Sequence, residues 1–311
     1  MISTDDQIRG KSMVRQQDNI SFCPGPDSAP YPSTFDMPVG ACDTHFHVFP
    51  MGHEHRYVPD RSYTPPPLEI ADYDSVATAL GIERAVVIQP SVFAEDNTAI
   101  LDVSGANPDR LRAIVSVTQD VTDAELEAFH AAGARGIRVN IVDSGGMTFP
   151  SVKDALSFTA RIAHLGWHIE FLAHVETFED ISTILASSHV PVVFGHLGYT
   201  SAKKGLGDPG FQRFLAAFEE GQAWVKLTGP YRISTLDRYP YTDIAEMARA
   251  LVSTNPNRVV WGSDWPHVRH AGVMPNDGAL LQQLDDWGCD APLRKKILVD
   301  NPAYFYGFPT D

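Results

Sequence analysis

A chain of 311 residues and 34.2 kDa, 43% hydrophobic and 20% charged, has the composition of a globular protein with a full-sized core. Its 39 acidic residues against 24 basic ones give a formal net charge of −15 with no Lys/Arg-rich run, so a nucleic-acid backbone or an anionic membrane surface would be repelled. A small anionic substrate stays open, because a few buried arginines can set a local potential against the global one. Cys23, Cys42 and Cys289 follow no paired spacing, which suits a reducing cytoplasm better than a disulfide framework. The first 22 residues lack the apolar stretch of a signal peptide, and no apolar run approaches the roughly 20 residues of a membrane span. The expectation is a cytoplasmic protein.

In chain order, residues 1–38 are polar and then proline-rich, an arm laid on the surface and given no catalytic role. The first strand is expected at 39–43, running into DTHFH, residues 43–47. Side chains two apart on a strand share a face, so His45 and His47 point into one cavity while Phe46 faces the other way. A long irregular stretch, 50–68, holds His53, His55, Arg56, Tyr57, Arg61 and Tyr63 and reads as a candidate lid or a plain solvated excursion. Thereafter short β-rich runs at 84–89, 111–117, 136–141, 167–172, 190–194, 224–227 and 258–261 alternate with helical patterns. Those helices fall at 72–80, 96–106, 122–132, 151–165, 176–187, 209–220, 242–253, 276–287 and 292–299.

Eight apolar strands, each leading to a helix, with no change of composition along the way, imply a parallel sheet closed into an α/β (β/α)8 TIM-type barrel over 39–311. An open doubly wound sheet is the runner-up. It would carry a Gly-rich phosphate loop after the first strand, where this chain has DTHFHVFP.

In such a barrel the strand C-termini face one shared site. They present Asp43, His45 and His47; Gln89 and Ser91; Arg138 and Asn140; Glu170 and His174; His196; Lys226, Thr228, Tyr231 and Arg232; and Asp264 and His267. Each has a bland alternative. Arg138 could be a structural ion pair, but would then need a buried partner, and Asp264 could cap a helix. His130, His164, His168 and His189 fall on helices or strand starts and read as structural. The set supports hydrolysis at a carbonyl. Asp264 takes a proton from water, while His45, His47 and His196 polarise the carbonyl oxygen through a divalent metal or as hydrogen-bond donors. His45, His47, His196 and Asp264 are also reasonable zinc ligands with a position left for water, and the arginines suit an acidic substrate.

DTHFH, GHLG at 195–198, WGSDWPH at 261–267 and DNPAYFY at 300–306 resemble the amidohydrolase superfamily, over nearly all of the chain from residue 39. VIQPS at 87–91 and GIRVN at 136–140 narrow the resemblance to the branch of 2-pyrone-4,6-dicarboxylate lactonase, 4-sulfomuconolactone hydrolase and sugar-acid lactonases. The resemblance implies a barrel that opens a lactone ring, with Asp264 activating water and His45, His47 and His196 binding or polarising the carbonyl. Tyr63, Ser91, Arg138 and Arg232 match positions that contact the substrate's acid groups, and Asn140, Tyr231 and His267 are further candidate contacts. Members of the branch use a divalent metal or work without one; zinc is the metal expected here.

Two departures stand out. Ser144 occupies the position of a second carboxylate-binding arginine, and the strand-five position of a metal-binding histidine falls to Leu172 or Glu170, with His174 beyond it. Alternative readings are a metal-dependent decarboxylase or hydratase, a sugar-acid lactone hydrolase or isomerase, and a non-catalytic barrel that senses a small acid.

Overall fold

The computed structural model describes residues 20–143, 148–221 and 223–309. Eight strands form one sheet: β1 (Cys42–Phe46), β2 (Arg84–Ile88), β3 (Leu111–Val115), β4 (Ala134–Asn140), β5 (His168–Leu172), β6 (Val192–Phe194), β7 (Ala223–Leu227) and β8 (Val259–Trp261). Neighbours in sequence are neighbours in space, and every pairing is parallel. Runs such as RAVVI and LRAIV are almost wholly buried, as expected of strands covered on both faces.

Hydrogen bonds across the seam between β8 and β1 close the barrel. Thr44 Oγ1 donates to the Trp261 carbonyl at 2.8 Å, Asp264 N to His45 O at 2.8 Å and His47 N to Trp265 O at 2.9 Å. Gly262 makes this approach possible, since a Cβ there would sit 2.8 Å from both N and Cβ of His45. The barrel therefore replaces the open sheet.

Around it lie α1 (Ile70–Leu80), α2 (Thr98–Ala106), α3 (Asp123–Ala131), α4 (Val152–Ile162), α5 (Ile181–Ala186), α6 (Pro209–Glu219), α7 (Ala245–Thr254) and α8 (Asp277–Asp286). Their starts are signalled locally. Thr122 and Glu125 form a capping box on α3, and Asp208 accepts from the Gly210 and Phe211 amides just after Pro209 opens α6. Two short elements, α9 (Ala291–Lys295) and α10 (Asn301–Tyr306), flank a wider turn over Lys296–Asp300. The DNPAYFY segment closes the far end of the barrel. Asn301 Nδ2 donates to Pro256 O and Val259 O, Phe305 packs 4.1 Å from Trp224, and Tyr306 and Phe308 bury against Cys42, Val86, Ile88 and Ile114.

Three expectations are corrected. The first strand starts at Cys42 and not at residue 39, because Gly40 at φ 78° turns the chain and Val39 stays 80% exposed. The helix expected over 176–187 splits into a 3-10 turn, Val175–Thr177, and the short α5 capped by Asp180. The helix expected over 292–299 ends at Lys295, where the wider turn begins. The arm is also more than a loose cover: Ser21–Phe22 pairs in parallel with Tyr63–Thr64, and Tyr31 N donates to Asn276 Oδ1 at 2.8 Å. Ser144 lies outside the described residues.

Candidate active site

His45 ends up inside the barrel and His47 just above it, their ring centroids 5.1 Å apart, while Phe46 turns outward and stacks on Tyr73 at 3.7 Å. Across the seam comes Asp264, held in the left-handed region at φ 65°, a conformation a non-glycine residue keeps only when its surroundings impose it. From β6 comes His196, also left-handed at φ 50°, with its ring 5.2 Å from that of His45. His45 Nε2 lies 3.5 Å from Asp264 Oδ1, His47 Nε2 lies 3.9 Å from the same oxygen, and His196 Nδ1 lies 3.9 Å from Oδ2. All four side chains are buried.

The two oxygens of Asp264 have different lives. Oδ2 accepts from Tyr231 Oη at 2.6 Å and Arg232 Nε at 2.5 Å, whereas Oδ1 is buried with no hydrogen-bond partner. Burial alone would raise this carboxyl, but the Arg232 guanidinium, which also donates to it, outweighs that and holds it well below the usual carboxylate range. Burial, with Arg138 or Asp264 nearby, shapes the histidines as well. His47 and His196 are each pushed down to about 3, and His45 well below its ordinary value, so all three are neutral at neutral pH.

Hydrogen bonding fixes one tautomer. His47 Nδ1 lies 2.8 Å from the Ile88 carbonyl, which can only accept, so Nδ1 carries the proton and Nε2 keeps a lone pair. That corrects one expectation: His47 Nε2 is a ligand or an acceptor and not a hydrogen-bond donor to a carbonyl. His196 Nδ1 meets Thr228 Oγ1 at 2.8 Å. His45 Nδ1 faces Glu170 at 3.6 Å, and Glu170 in turn pairs with the fully buried Lys226 at 2.6 Å. Lys226 also donates to the Thr44 carbonyl at 2.9 Å, tying β7 to β1 beneath the histidine.

A divalent cation suits this donor set. His45, His196 and Asp264 each offer a ligand atom, all within 4.8 Å of one another. His45 Nε2 and Asp264 Oδ1 face each other buried and unpartnered. Neutral imidazole nitrogens and a carboxylate oxygen, with histidines oriented by groups behind them, are what such an ion requires.

Above the cluster opens a cavity of about 390 Å³ lined by His47, Tyr63, Ser91, Arg138, Asn140, His196, Arg232 and Asp264 among the predicted residues. It also takes in Leu172, Tyr199, Asp143, Val268 and Arg269. A neighbouring recess of about 290 Å³ shares Ser91, Arg138 and Asn140. Arg138 donates to Gln89 O at 3.0 Å and, among the described residues, has no carboxylate within 4.0 Å. The structural ion pair weighed for it is therefore not formed there.

Tyr231 and His267 do not line the cavity. His267 is buried behind it, between Tyr231 Oη at 3.0 Å and Asp277 at 3.2 Å. His174 turns away, half exposed, with Nδ1 2.9 Å from the Tyr199 carbonyl, and Leu172 takes the cavity-facing place on β5. Asp43 lies outside the cavity and clamps the seam, accepting from the amides of His45 and Ser263 and from the hydroxyls of Tyr73 and Ser263. Arg269 and Tyr199 are lining residues that motif reading passed over. Their signal was proximity to WGSDWPH and GHLG, and backbone geometry alone turns them inward.

The fold and site define a class. Residues 42–308 match the amidohydrolase family, and the chain belongs to it. More narrowly, it is similar to a 4-sulfomuconolactone hydrolase of Hydrogenophaga intermedia, 35% identical over 92% of this chain and 94% of the other. It is also 33% identical to a 2-pyrone-4,6-dicarboxylate hydrolase of Comamonas testosteroni, over 88% and 92%. Among solved structures, an Agrobacterium tumefaciens protein superposes with a TM-score of 0.79 at 27% identity, covering 91% of this chain and all of that one. No helix among the described residues is long and apolar enough to cross a membrane.

Proposed function

We propose that this chain hydrolyses the ring ester of a small anionic lactone, of the muconolactone, sulfomuconolactone or pyrone-carboxylate type. The observation that carries the reading is Asp264 Oδ1, a buried oxygen with no partner, facing imidazoles at the wall of a cavity that also holds Arg138. The similarity to a 4-sulfomuconolactone hydrolase and to a 2-pyrone-4,6-dicarboxylate hydrolase supports it.

In the reaction, water oxygen bonds to the lactone carbonyl carbon as Asp264 Oδ1 accepts its proton. The ring C–O bond then breaks and the proton passes to the departing oxygen, leaving a ring-opened acid. A carboxylate held this low gives little driving force as a base, so its contribution is chiefly position: Tyr231 and Arg232 fix Oδ2 and leave Oδ1 turned to the imidazoles. Arg138, Ser91 and Tyr63 hold the substrate's acid group, and Arg232 lines the same cavity with its Nε and Nη2 committed to Asp264 and the Val268 carbonyl. The divalent ion that His45, His196 and Asp264 suit is zinc, with His47 Nε2 close by; bound there, it supplies Lewis-acid polarisation of the carbonyl.

Ring opening of a panel of carboxylated and sulfonated lactones tests the reading. Asp264→Asn should lower kcat by about a hundred- to ten-thousandfold with the fold intact by circular dichroism, and unchanged turnover in that variant ends the proposal. Metal analysis of the purified protein should find about one zinc per chain.

A further inference from the structure

Three guanidiniums and two carboxylates line the cavity, and they are not equally free. Arg232 is committed to Asp264 Oδ2 and to the Val268 carbonyl. Arg138 spends one nitrogen on the Gln89 carbonyl and meets no carboxylate among the described residues. Arg269 sits at the rim, ion-paired to Asp143. Arg138 and Asp143 belong to β4 and the segment after it, Arg269 to the segment after β8. Strands four and eight stand opposite each other in an eight-stranded barrel, so the two arginines enter from facing walls.

We propose that Arg269 is a second anion clamp, held by Asp143 until a ligand's second acid group displaces it, so that the substrate of this site carries two acid groups. This rests on the lactone-hydrolase reading and narrows it. The backbone of Arg269 is a fixed pivot: its amide donates to Cys23 Sγ at 3.2 Å, its φ is 63°, and the preceding carbonyl, of Val268, is held by Arg232. Its side chain is 40% exposed. Asp143 is only 14% exposed, so the pair is half-buried, and exchanging Asp143 for a ligand carboxylate or sulfonate replaces one charge-assisted contact by another.

Asp143 keeps a partner after the exchange, because Asn140 Nδ2 donates to it at 2.8 Å while Asn140 Oδ1 accepts its amide. Three cations against two anions also leave the cavity one positive charge in surplus, in a chain whose net charge is −15. Where the sequence has Ser144 in place of a second arginine, Arg269 brings that charge from the other wall.

The test needs no turnover. Calorimetric titration of the full chain with muconate, a six-carbon diene with two carboxylates, and with sorbate, the same diene with one, should show muconate bound more tightly. Arg269→Gln should weaken muconate by about ten- to hundredfold, the usual worth of a charge-assisted contact, and shift sorbate by less than about threefold. Arg269→Lys should fall between, and Asp143→Asn should tighten muconate by releasing the clamp.

Equal losses for both ligands in Arg269→Gln, no preference for muconate in the wild type, or weakened muconate binding in Asp143→Asn would each make the pair a loop latch and overturn the proposal. A chain that prefers muconate through Arg269 yet opens no lactone would retain the clamp and lose the hydrolase, so the two failures are distinguishable.

Discussion

Asp264 and His196 hold their positions through backbone that favours glycine, and a true glycine stands where they meet. Gly229, at φ 53°, carries no Cβ because one would lie 2.7 Å from His196 Nδ1 and 2.9 Å from Asp264 Oδ2. Gly229→Ala should therefore displace the carboxylate or the imidazole, lowering kcat at least about tenfold, since misplacement of about an ångström has such consequences. Steady-state kinetics beside a thermal melt checks this, and wild-type kcat would show that the two groups tolerate the shift.

Lys226 is the other residue-scale test. It is fully buried, and burial pulls its pKa down while Glu170 opposes the fall. Lys226→Met strands Glu170 as a buried unpaired charge and should cost about 3–5 kcal/mol in urea denaturation, whereas Lys226→Met with Glu170→Leu should recover much of it. Equal stability of the single and double variants would mean that the pair is not coupled.

At the scale of elements, the arm joins the site through a two-residue strand. Ser21–Phe22 pairs with Tyr63–Thr64, so the segment placing Tyr63 against the cavity has its edge bonded to the chain's own N-terminal part. Removing residues 1–24 should raise KM several-fold with kcat nearly unchanged, because a loosened Tyr63 weakens binding in ground and transition states alike. A fall in kcat at constant KM would assign the arm to the chemistry. Periodicity and proline content placed the arm on the surface; nothing in them could reveal its strand partner, since a two-residue pairing across some 40 positions has no local signature. The same holds for α5, where Asp180 restarts a helix that the apolar spacing ran straight through.

For the whole molecule, acid is the stress to which this core is most exposed. His168 is buried at the start of β5, packed 4.6 Å from Phe305, and burial together with Lys226 keeps its pKa well below the ordinary 6.5. Below about pH 6.5 the unfolded chain takes up a proton there that the folded chain refuses, so stability is full above that pH and lost as pH falls. The slope is about 1.4 kcal/mol per pH unit for each such histidine. Denaturation at pH 7.5 and 5.5 should show this loss, and His168→Gln should reduce the difference between the two. An equal pH difference in the variant would place the acid sensitivity elsewhere.

The sequence by itself determined the barrel and the identities of its catalytic candidates, because strand and helix periods and the DTHFH and WGSDWPH motifs are local patterns that survive without neighbours. Only the tertiary structure decided which of them share a cavity. It put His267 and Tyr231 behind Asp264, sent His174 outward, set Lys226 and Glu170 beneath His45 and brought Arg269 to the rim. Those placements arise from strand closure and left-handed turns joining residues tens of positions apart or, for Arg269 and Asp143, more than a hundred, and no spacing along the chain encodes them.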